Sequence, residues 1–194
     1  MDFAEYGGGA GQLVNLIRAF AAAGIVNRVV AIFDNDAAGL SALHTLSKTS
    51  LPKHIVAMRL PDLAMLRSYP TLGPSGPSLM NINGMAASIE LYLGADVLCG
   101  DADKLPAIQW TGYERAIETY QGELPRKQEV QGRFLKKLEK ARKDAHFCGT
   151  ADWSGLQLIF LQLFKAFHEL DRRVLTEQLR YFYREQEVAA SSAR

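Results

Sequence analysis

A short apolar strand that runs directly into two aspartates is the feature that most constrains the fold of this chain. Residues 29–33, VVAIF, are continuously apolar and are followed by Asp34, Asn35 and Asp36. Such a run is typical of a strand that is buried on both faces, as in a parallel sheet covered by helices. The next segment, AAGLSALHTLSK, has the composition of a helix. The aspartates are therefore expected where a strand ends and a crossover helix begins.

The flanking segments extend this alternation. A glycine cluster, GGGAG, precedes a stretch with Leu13, Leu16, Ile17 and Phe20 at helical spacing, and Gly24 is expected to end that helix. After the aspartates and the crossover helix, HIVAMRL is predicted to form another strand. The order of glycine turn, helix, strand, helix and strand indicates an α/β fold, with a parallel sheet flanked by helices.

The middle of the chain is less regular. Residues 69–84 contain three of the seven prolines together with three glycines, and we expect a long loop there. MAASIELYLG is predicted to be a short helix that ends at Gly94. LPAIQW, residues 105–110, is a candidate edge strand. These segments complete a predicted α/β domain over residues 1–125.

A helical region is predicted over residues 126–194. KQEVQGRFLKKLEKARKD is a charged helix, and a last amphipathic helix is expected over residues 171–186. Between them lies WSGLQLIFLQLFKAFHEL, whose large apolar residues are expected on one broad face: Leu156, Ile159, Phe160, Leu163, Phe164 and Phe167. This region could support a homodimer or a contact with a partner protein.

Composition narrows the class of protein. The formal net charge of +1 provides no whole-chain argument for nucleic-acid binding, so local patches must carry it. The two cysteines, Cys99 and Cys148, form no CxxC pair, which disfavours a zinc ribbon or a disulfide framework and suggests a reducing compartment. The chain begins without a signal-peptide pattern and has no apolar run long enough for a membrane span. We therefore expect a cytoplasmic protein.

The aspartates themselves admit two interpretations. Residues i and i+2 of an extended segment point the same way, so Asp34 and Asp36 can face one ion. Two hard oxygen donors suit Mg²⁺ or Mn²⁺ better than zinc. The alternative is an Asx turn that caps the following helix. In an open α/β sheet ligands collect at the carboxyl ends of the strands, which favours the metal site.

The segment VVAIFDNDAAGLSAL resembles the aspartate motif of Toprim domains, the metal-binding fold of bacterial primases, topoisomerases and OLD-family nucleases. GGGAGQL matches the glycine turn of that family, and AASIELYLG resembles a downstream segment that supplies a further acidic ligand, here Glu90. The likeness covers roughly residues 5–100 and is nearest to Toprim proteins linked to HEPN domains and proposed to act in phage defence. It implies structural turns at Gly8, Gly9 and Gly39.

The resemblance also implies an activity, although this sequence departs from the family pattern at its start. Asp34, Asp36 and Glu90 would be catalytic residues that bind Mg²⁺ or Mn²⁺ for cleavage or strand transfer of nucleic acid. A complete Toprim domain begins with a strand that carries a glutamate, whereas this sequence starts at the glycine turn. Glu5 falls on the second strand of the family pattern. We therefore expect the first strand, the first helix and the catalytic glutamate to be missing, and activity to be impaired.

A basic stripe provides a second functional hypothesis. Residues 126–143 carry eight lysines and arginines against two glutamates, and a row of cations on a helix can follow a nucleic-acid backbone. Arg133, Lys136, Lys137 and Lys140 are the candidate contacts. The chain could then be a non-catalytic binding or assembly module that keeps the Toprim shape, although a solvated helix face explains the stripe equally well. A haloacid-dehalogenase-like phosphohydrolase is a weaker alternative, since that family places its D-x-D motif on the first strand.

Overall fold

The computed structural model describes residues 9–100 and 104–166. The first part is an α/β unit whose elements are α1 (Ala10–Ala22), β1 (Val29–Phe33), β2 (Asn35–Asp36), α2 (Ala37–Ser47) and β3 (Ile55–Arg59). There follow β4 (Tyr69–Gly73), β5 (Gly76–Met80), β6 (Ala86–Ala87), α3 (Ala95–Cys99), β7 (Ile108–Glu114) and β8 (Thr119–Glu123). The helical elements after these are α4 (Lys127–Lys143), α5 (Ala145–Thr150) and α6, which is helical over residues 154–166. Short 3-10 turns span Ala64–Ser68 and Ile89–Tyr92.

The predicted alternation around the aspartates is confirmed. β1 and β3 pair in parallel, with Val29 opposite Ile55 and Phe33 opposite Arg59. α2 is the crossover between them, and α1 packs beside α2. Apolar residues shared by these four elements form one compact cluster, in which Ile17 is almost fully buried. The mixed α/β class expected from the sequence is therefore present.

The proline-rich segment is a hairpin and not the long loop that was expected. β4 and β5 pair antiparallel over residues 69–80. β5 is the outer strand of a four-stranded sheet with the order β5-β4-β7-β8. An edge strand tolerates Pro77 because one side of its backbone has no strand to pair with. The prolines that suggested a loop are therefore compatible with this sheet.

Two further expectations are corrected in the same region. LPAIQW leads into β7, which lies between β4 and β8 and is not an edge strand. The segment MAASIELYLG, predicted as a helix, forms β6 and then the 3-10 turn Ile89–Tyr92. β6 pairs antiparallel with β2, and this pairing keeps the segment extended at Ala86 and Ala87. Gly94, at φ 110°, precedes α3 as its N-cap residue.

The helical region packs onto the α/β part. One hydrophobic cluster contains Tyr92 and Ile108 from the first part together with Val130, Ile159 and Leu163 from the helices. Residues on both sides of the boundary predicted at 125/126 thus share a core. Burial of large apolar side chains of this kind is the dominant stabilising contribution to a fold.

α4 and α6 confirm the predicted helices, with one difference in the apolar face of α6. Ile159 and Leu163 are buried and Leu156 is half-buried, whereas Phe160 and Phe164 are exposed. Phe167 and the helix predicted over residues 171–186 lie outside the described residues. At the start of α6, Gly155 lies so close to Tyr92 that a β-carbon there would overlap the Tyr92 backbone. In the described part of the chain, no helix is long and apolar enough to cross a membrane.

Candidate metal centre and nucleic-acid surface

Asp34 and Asp36 lie at the carboxyl end of the parallel strand pair. Asp34 directly follows β1, and Asp36 ends the two-residue strand β2. β2 is held by β6, with Asn35 opposite Ala87 and Asp36 opposite Ala86. The chain therefore remains extended through both aspartates, as the spacing argument requires.

Asp36 also caps helix α2. Its Oδ1 accepts a hydrogen bond from the backbone N–H of Gly39 over 2.7 Å, which satisfies one of the free donors at the helix start. Gly39 is required at this turn because a β-carbon there would overlap the carbonyl oxygen of Asp34. The helix-cap alternative is thus confirmed for Asp36. The cap hydrogen bond occupies one carboxylate oxygen of Asp36, and no described residue donates a hydrogen bond to the other oxygen.

Asp34 is held by the segment that carries Glu90. Its Oδ1 accepts a hydrogen bond from the backbone N–H of Ile89 over 3.0 Å, and no described residue donates to its other oxygen. Burial raises the pKa of Asp34 to about 6, with further contributions from the negative charges of Asp36 and Glu90, against a smaller opposing effect of Lys127. The three carboxylates therefore interact electrostatically at one edge of the sheet.

Glu90 is buried and already has partners at both carboxylate oxygens. Oε2 accepts from the Ser88 hydroxyl over 2.7 Å, and Oε1 accepts from the Gln131 side-chain amide over 2.9 Å. The ammonium of Lys127 lies 3.8 Å from Oε2. Burial alone would raise the pKa of Glu90, but the hydrogen bonds and the Lys127 charge hold that pKa below its usual value. Glu90 is therefore a fixed negative charge beside Asp34.

This arrangement differs from a closed metal cage. Within residues 9–100 and 104–166, no group of three or more His, Cys, Asp and Glu side chains is placed to hold a metal ion. Asp34 and Asp36 each keep one oxygen without a hydrogen-bond donor from the described residues. Two carboxylates with free oxygens fit Mg²⁺, which usually retains several waters and takes only one or two carboxylates from the protein.

Asn35, between the two aspartates, is fully buried. Its side-chain amide donates to Oδ1 of Asp62 over 3.0 Å and lies 3.4 Å from the hydroxyl of Tyr92. Its side-chain oxygen accepts from the guanidinium of Arg59. Sequence reasoning missed this network, which joins the ends of β1 and β3.

The Asn35 network contains its own ion pair. Arg59 and Asp62 are 2.7 Å apart, between a guanidinium nitrogen and Oδ1. Burial would raise the pKa of Asp62, but hydrogen bonds from Arg59 and Asn35 hold it below the usual value. The Tyr92 hydroxyl donates to the carbonyl of Pro61 over 2.7 Å. The only sequence signal for these contacts was the predicted strand HIVAMRL, which contains Arg59 and ends just before Asp62.

The predicted glycine turn is described only in part. Gly8 lies outside the described residues. Gly9 is the N-cap residue of α1, and its carbonyl accepts from the backbone N–H of Gln12 over 2.9 Å. Its φ of −66° is open to other residues, and a β-carbon there would meet nothing within 4 Å. Of the three predicted turn glycines, Gly39 is the one whose missing side chain the structure explains.

The four predicted nucleic-acid contacts on α4 divide into two pairs. The Lys137 ammonium is buried and donates to Oδ1 of Asp96 over 2.8 Å and to the carbonyl of Leu93 over 3.2 Å. Arg133 donates to the carbonyl of Val97 over 2.6 Å. These two side chains fasten α4 to α3, so the prediction that Lys137 contacts a phosphate backbone is wrong.

Lys136 and Lys140 are exposed, as a nucleic-acid contact requires. Lys143 is also exposed and lies seven residues beyond Lys136, so the three lysines form a row on one side of α4. The ammonium of Lys140 lies 4.1 Å from the ring centre of Phe147. The basic surface of α4 therefore contains fewer of the predicted contacts than the sequence suggested, because Arg133 and Lys137 bind the neighbouring segment instead.

No family model matches this chain, and neither a curated protein nor a solved structure matches it.

Proposed function

We propose that residues 9–100 form a Toprim-like domain that binds Mg²⁺ or Mn²⁺ through Asp34 and Asp36 and acts on the phosphodiester backbone of nucleic acid. The observation that carries the proposal is a pair of carboxylate oxygens, one on Asp34 and one on Asp36, to which no described residue donates a hydrogen bond. They lie at the end of a parallel strand pair, next to the fixed charge of Glu90. The likeness of VVAIFDNDAAGLSAL and AASIELYLG to Toprim motifs supports the same assignment. The nearest likeness suggests a role in phage defence.

The described side chains would divide the task as follows. Asp34 and Asp36 would hold the cation, each through the oxygen that no described residue engages. Glu90 would add negative charge from the side of the 3-10 turn, through water or by direct contact. When bound, the metal would neutralise charge on the phosphate and activate the attacking oxygen. Lys127, which lies beside Glu90 and is partly exposed, would contact the anionic backbone.

Metal binding is tested with substitutions that remove charge and keep hydrogen bonds. Asparagine at positions 34 and 36 can still accept from Ile89 and Gly39, because asparagine retains an acceptor oxygen and is a good helix cap. Calorimetry measures the binding of Mn²⁺. We expect the wild type to bind Mn²⁺ and Asp34→Asn/Asp36→Asn to bind it at least tenfold more weakly.

The matched control is Asp144→Asn. Asp144 caps helix α5 through the backbone N–H of Phe147 over 3.0 Å, as Asp36 caps α2. This variant should bind Mn²⁺ like the wild type. Equal or negligible binding by the wild type and the double variant would remove the metal site.

A non-catalytic nucleic-acid-binding module is the second candidate function. It is favoured by the exposed row of Lys136, Lys140 and Lys143, together with the protein partners that already satisfy Glu90. It predicts an affinity for nucleic acid that falls steeply with salt and is unchanged in Asp34→Asn/Asp36→Asn. Lys136→Gln/Lys140→Gln should then weaken binding and reduce the salt dependence by about two released counterions.

Loss of metal-dependent cleavage in the aspartate variant, with nucleic-acid binding retained, would support the enzymatic proposal. Nucleic-acid binding that needs neither Mn²⁺ nor the two aspartates would favour the module.

A further inference from the structure

A cleft with an apolar interior lies where the start of α6 meets the two 3-10 turns. Its volume is about 200 Å³. Its inner wall is formed by Leu63, Leu91 and Tyr92, each of which is at most 5% exposed. Met65, which is half-buried, also lines the cleft, and Leu158 of α6, which is 40% exposed, lies at its opening. The cleft therefore leads from the surface into the main hydrophobic cluster.

The wall of this cleft is fixed by contacts within the protein. Gly155, at the start of α6, lies so close to Tyr92 that a β-carbon there would overlap the Tyr92 backbone. The hydroxyl of Tyr92 donates to the carbonyl of Pro61 over 2.7 Å, which holds the Tyr92 ring in place. A molecule that enters the cleft therefore meets a preformed wall, and a preformed site spares the free energy of ordering it.

The polar side chains that line the cleft already have partners in the protein. Oδ2 of Asp152 accepts a hydrogen bond from the backbone N–H of Ala95 over 2.9 Å. Its Oδ1 accepts from the backbone N–H of Ser154 over 3.0 Å and from the Ser154 hydroxyl over 2.6 Å. A charged or strongly polar ligand would have to compete with these hydrogen bonds, so the lining favours an uncharged apolar one.

Water is a poor occupant of a cleft of this kind. A buried water typically makes about three hydrogen bonds to polar groups that would otherwise be unsatisfied. The apolar side chains of the lining provide none: Leu63, Ala64, Met65, Leu91 and Leu158. An apolar cavity of roughly 150 Å³ stays dry and binds benzene. A cleft of about 200 Å³ therefore has room for one ring with a small substituent.

We propose that this cleft binds a small uncharged apolar molecule, about the size of a single substituted ring. The proposal does not depend on the metal site proposed above, because none of the acidic residues of that site lines the cleft. Toluene is the probe, and benzylamine and benzoate are its matched controls, since they carry the same ring with a positive or a negative charge. We expect saturable binding of toluene and at least tenfold weaker binding of both charged compounds.

Methionine methyl NMR of the full chain shows where the probe binds. Met65 lines the cleft, whereas Met58, Met80 and Met85 do not. Toluene should shift the methyl signal of Met65 saturably and leave the signals of the other three unchanged, and Met65→Leu identifies the signal. A Met65 signal that does not move would overturn the proposal. Binding of benzylamine or benzoate as tight as that of toluene would overturn it as well.

A charge at the opening of the cleft provides a second test. Leu158→Asp places a carboxylate that the bound ring would desolvate, so toluene should bind at least tenfold more weakly. The control is Leu161→Asp, because Leu161 lies on the same helix, is 57% exposed and does not line the cleft. This variant should bind toluene like the wild type. Equal affinities of the two variants would refute the site, and the titration of the wild type remains decisive if either variant fails to fold.

Discussion

The backbone N–H of Ile89 donates a hydrogen bond to Oδ1 of Asp34 over 3.0 Å, across 55 residues of sequence. This bond joins the end of the apolar strand β1 to the turn that carries Glu90. Burial, and then the negative charges of Asp36 and Glu90, raise the pKa of Asp34 to about 6, while the hydrogen bond from Ile89 opposes that rise.

Asp34→Asn should stabilise the protein at neutral pH. The pKa of Asp34 is raised from 3.8 to about 6 in the folded state, so the folded chain binds more protons than the unfolded chain between these values. Its contribution to stability is complete below pH 3.8 and is lost as the pH rises through 6. Asparagine does not titrate and avoids this loss. We therefore expect the free energy of unfolding of Asp34→Asn to exceed that of the wild type by about 1–3 kcal/mol at pH 8 and to be almost the same near pH 3.5.

Urea unfolding of the wild type and Asp34→Asn at the two pH values measures this difference in stability. The titration of all other groups contributes equally to both proteins and cancels in the comparison. A variant that is equally or less stable at pH 8 would contradict the electrostatic account of the site.

Metal affinity should depend on pH through the same carboxylate. A cation binds the ionised form of Asp34, so Mn²⁺ affinity should be nearly constant above pH 7 and fall by about tenfold per unit well below pH 6. Calorimetric titrations at pH 5, 6, 7 and 8 test this. An affinity that does not change between pH 5 and 8 would exclude Asp34 as a ligand.

Gly39→Ala should destabilise the protein by at least about 2 kcal/mol, because the new β-carbon overlaps the Asp34 carbonyl and forces α2 away from β1. Gly132→Ala is the matched control. Gly132 lies inside α4 and a β-carbon there meets nothing within 4 Å, so alanine should stabilise by about 0.5–1 kcal/mol. Thermal unfolding of the two variants should shift in opposite directions, and shifts in the same direction would refute the proposed clash.

Two lysines of α4 should have different roles, which Lys137→Met and Lys136→Met distinguish. Lys137 stabilises the fold, whereas Lys136 contributes an exposed charge. Lys137→Met removes the buried ammonium that donates to Asp96 and to the carbonyls of Leu93 and Asp152, and should cost about 1–3 kcal/mol of stability. Lys136→Met removes an exposed charge and should change stability by less than about 0.5 kcal/mol while weakening nucleic-acid binding. Denaturant unfolding and a filter-binding titration distinguish the two effects. Similar stability of both variants would contradict a structural role for Lys137.

The part of the fold that local pattern determines could be predicted from the sequence. The continuous apolar run before Asp34, the helix-like composition after it and the apolar segment HIVAMRL identified β1, α2 and β3. The hairpin β4–β5 was missed because its prolines resemble loop residues until the neighbouring strand β7 is known. β6 was missed because two residues paired with β2 are too short to leave a pattern.

The sequence predicted the acidic residues of the candidate site, but not the residues that hydrogen-bond around them. Asp34 and Asp36 stand out because they end an apolar strand. Arg59 and Asp62 are ordinary surface residue types, and their role depends on the parallel register that brings β3 beside β1. Lys137 was misassigned because a basic residue in a basic helix gives no sign in sequence that α3 lies beneath it.

Because Gly155 has no side chain, α6 lies directly on the backbone of Tyr92, whose hydroxyl is near the Asn35 amide. A larger residue at position 155 would push α6 away from Tyr92, and the displacement would reach the side chain that lies between the two aspartates. The packing of this helix is thus coupled to the strand end that carries the acidic residues.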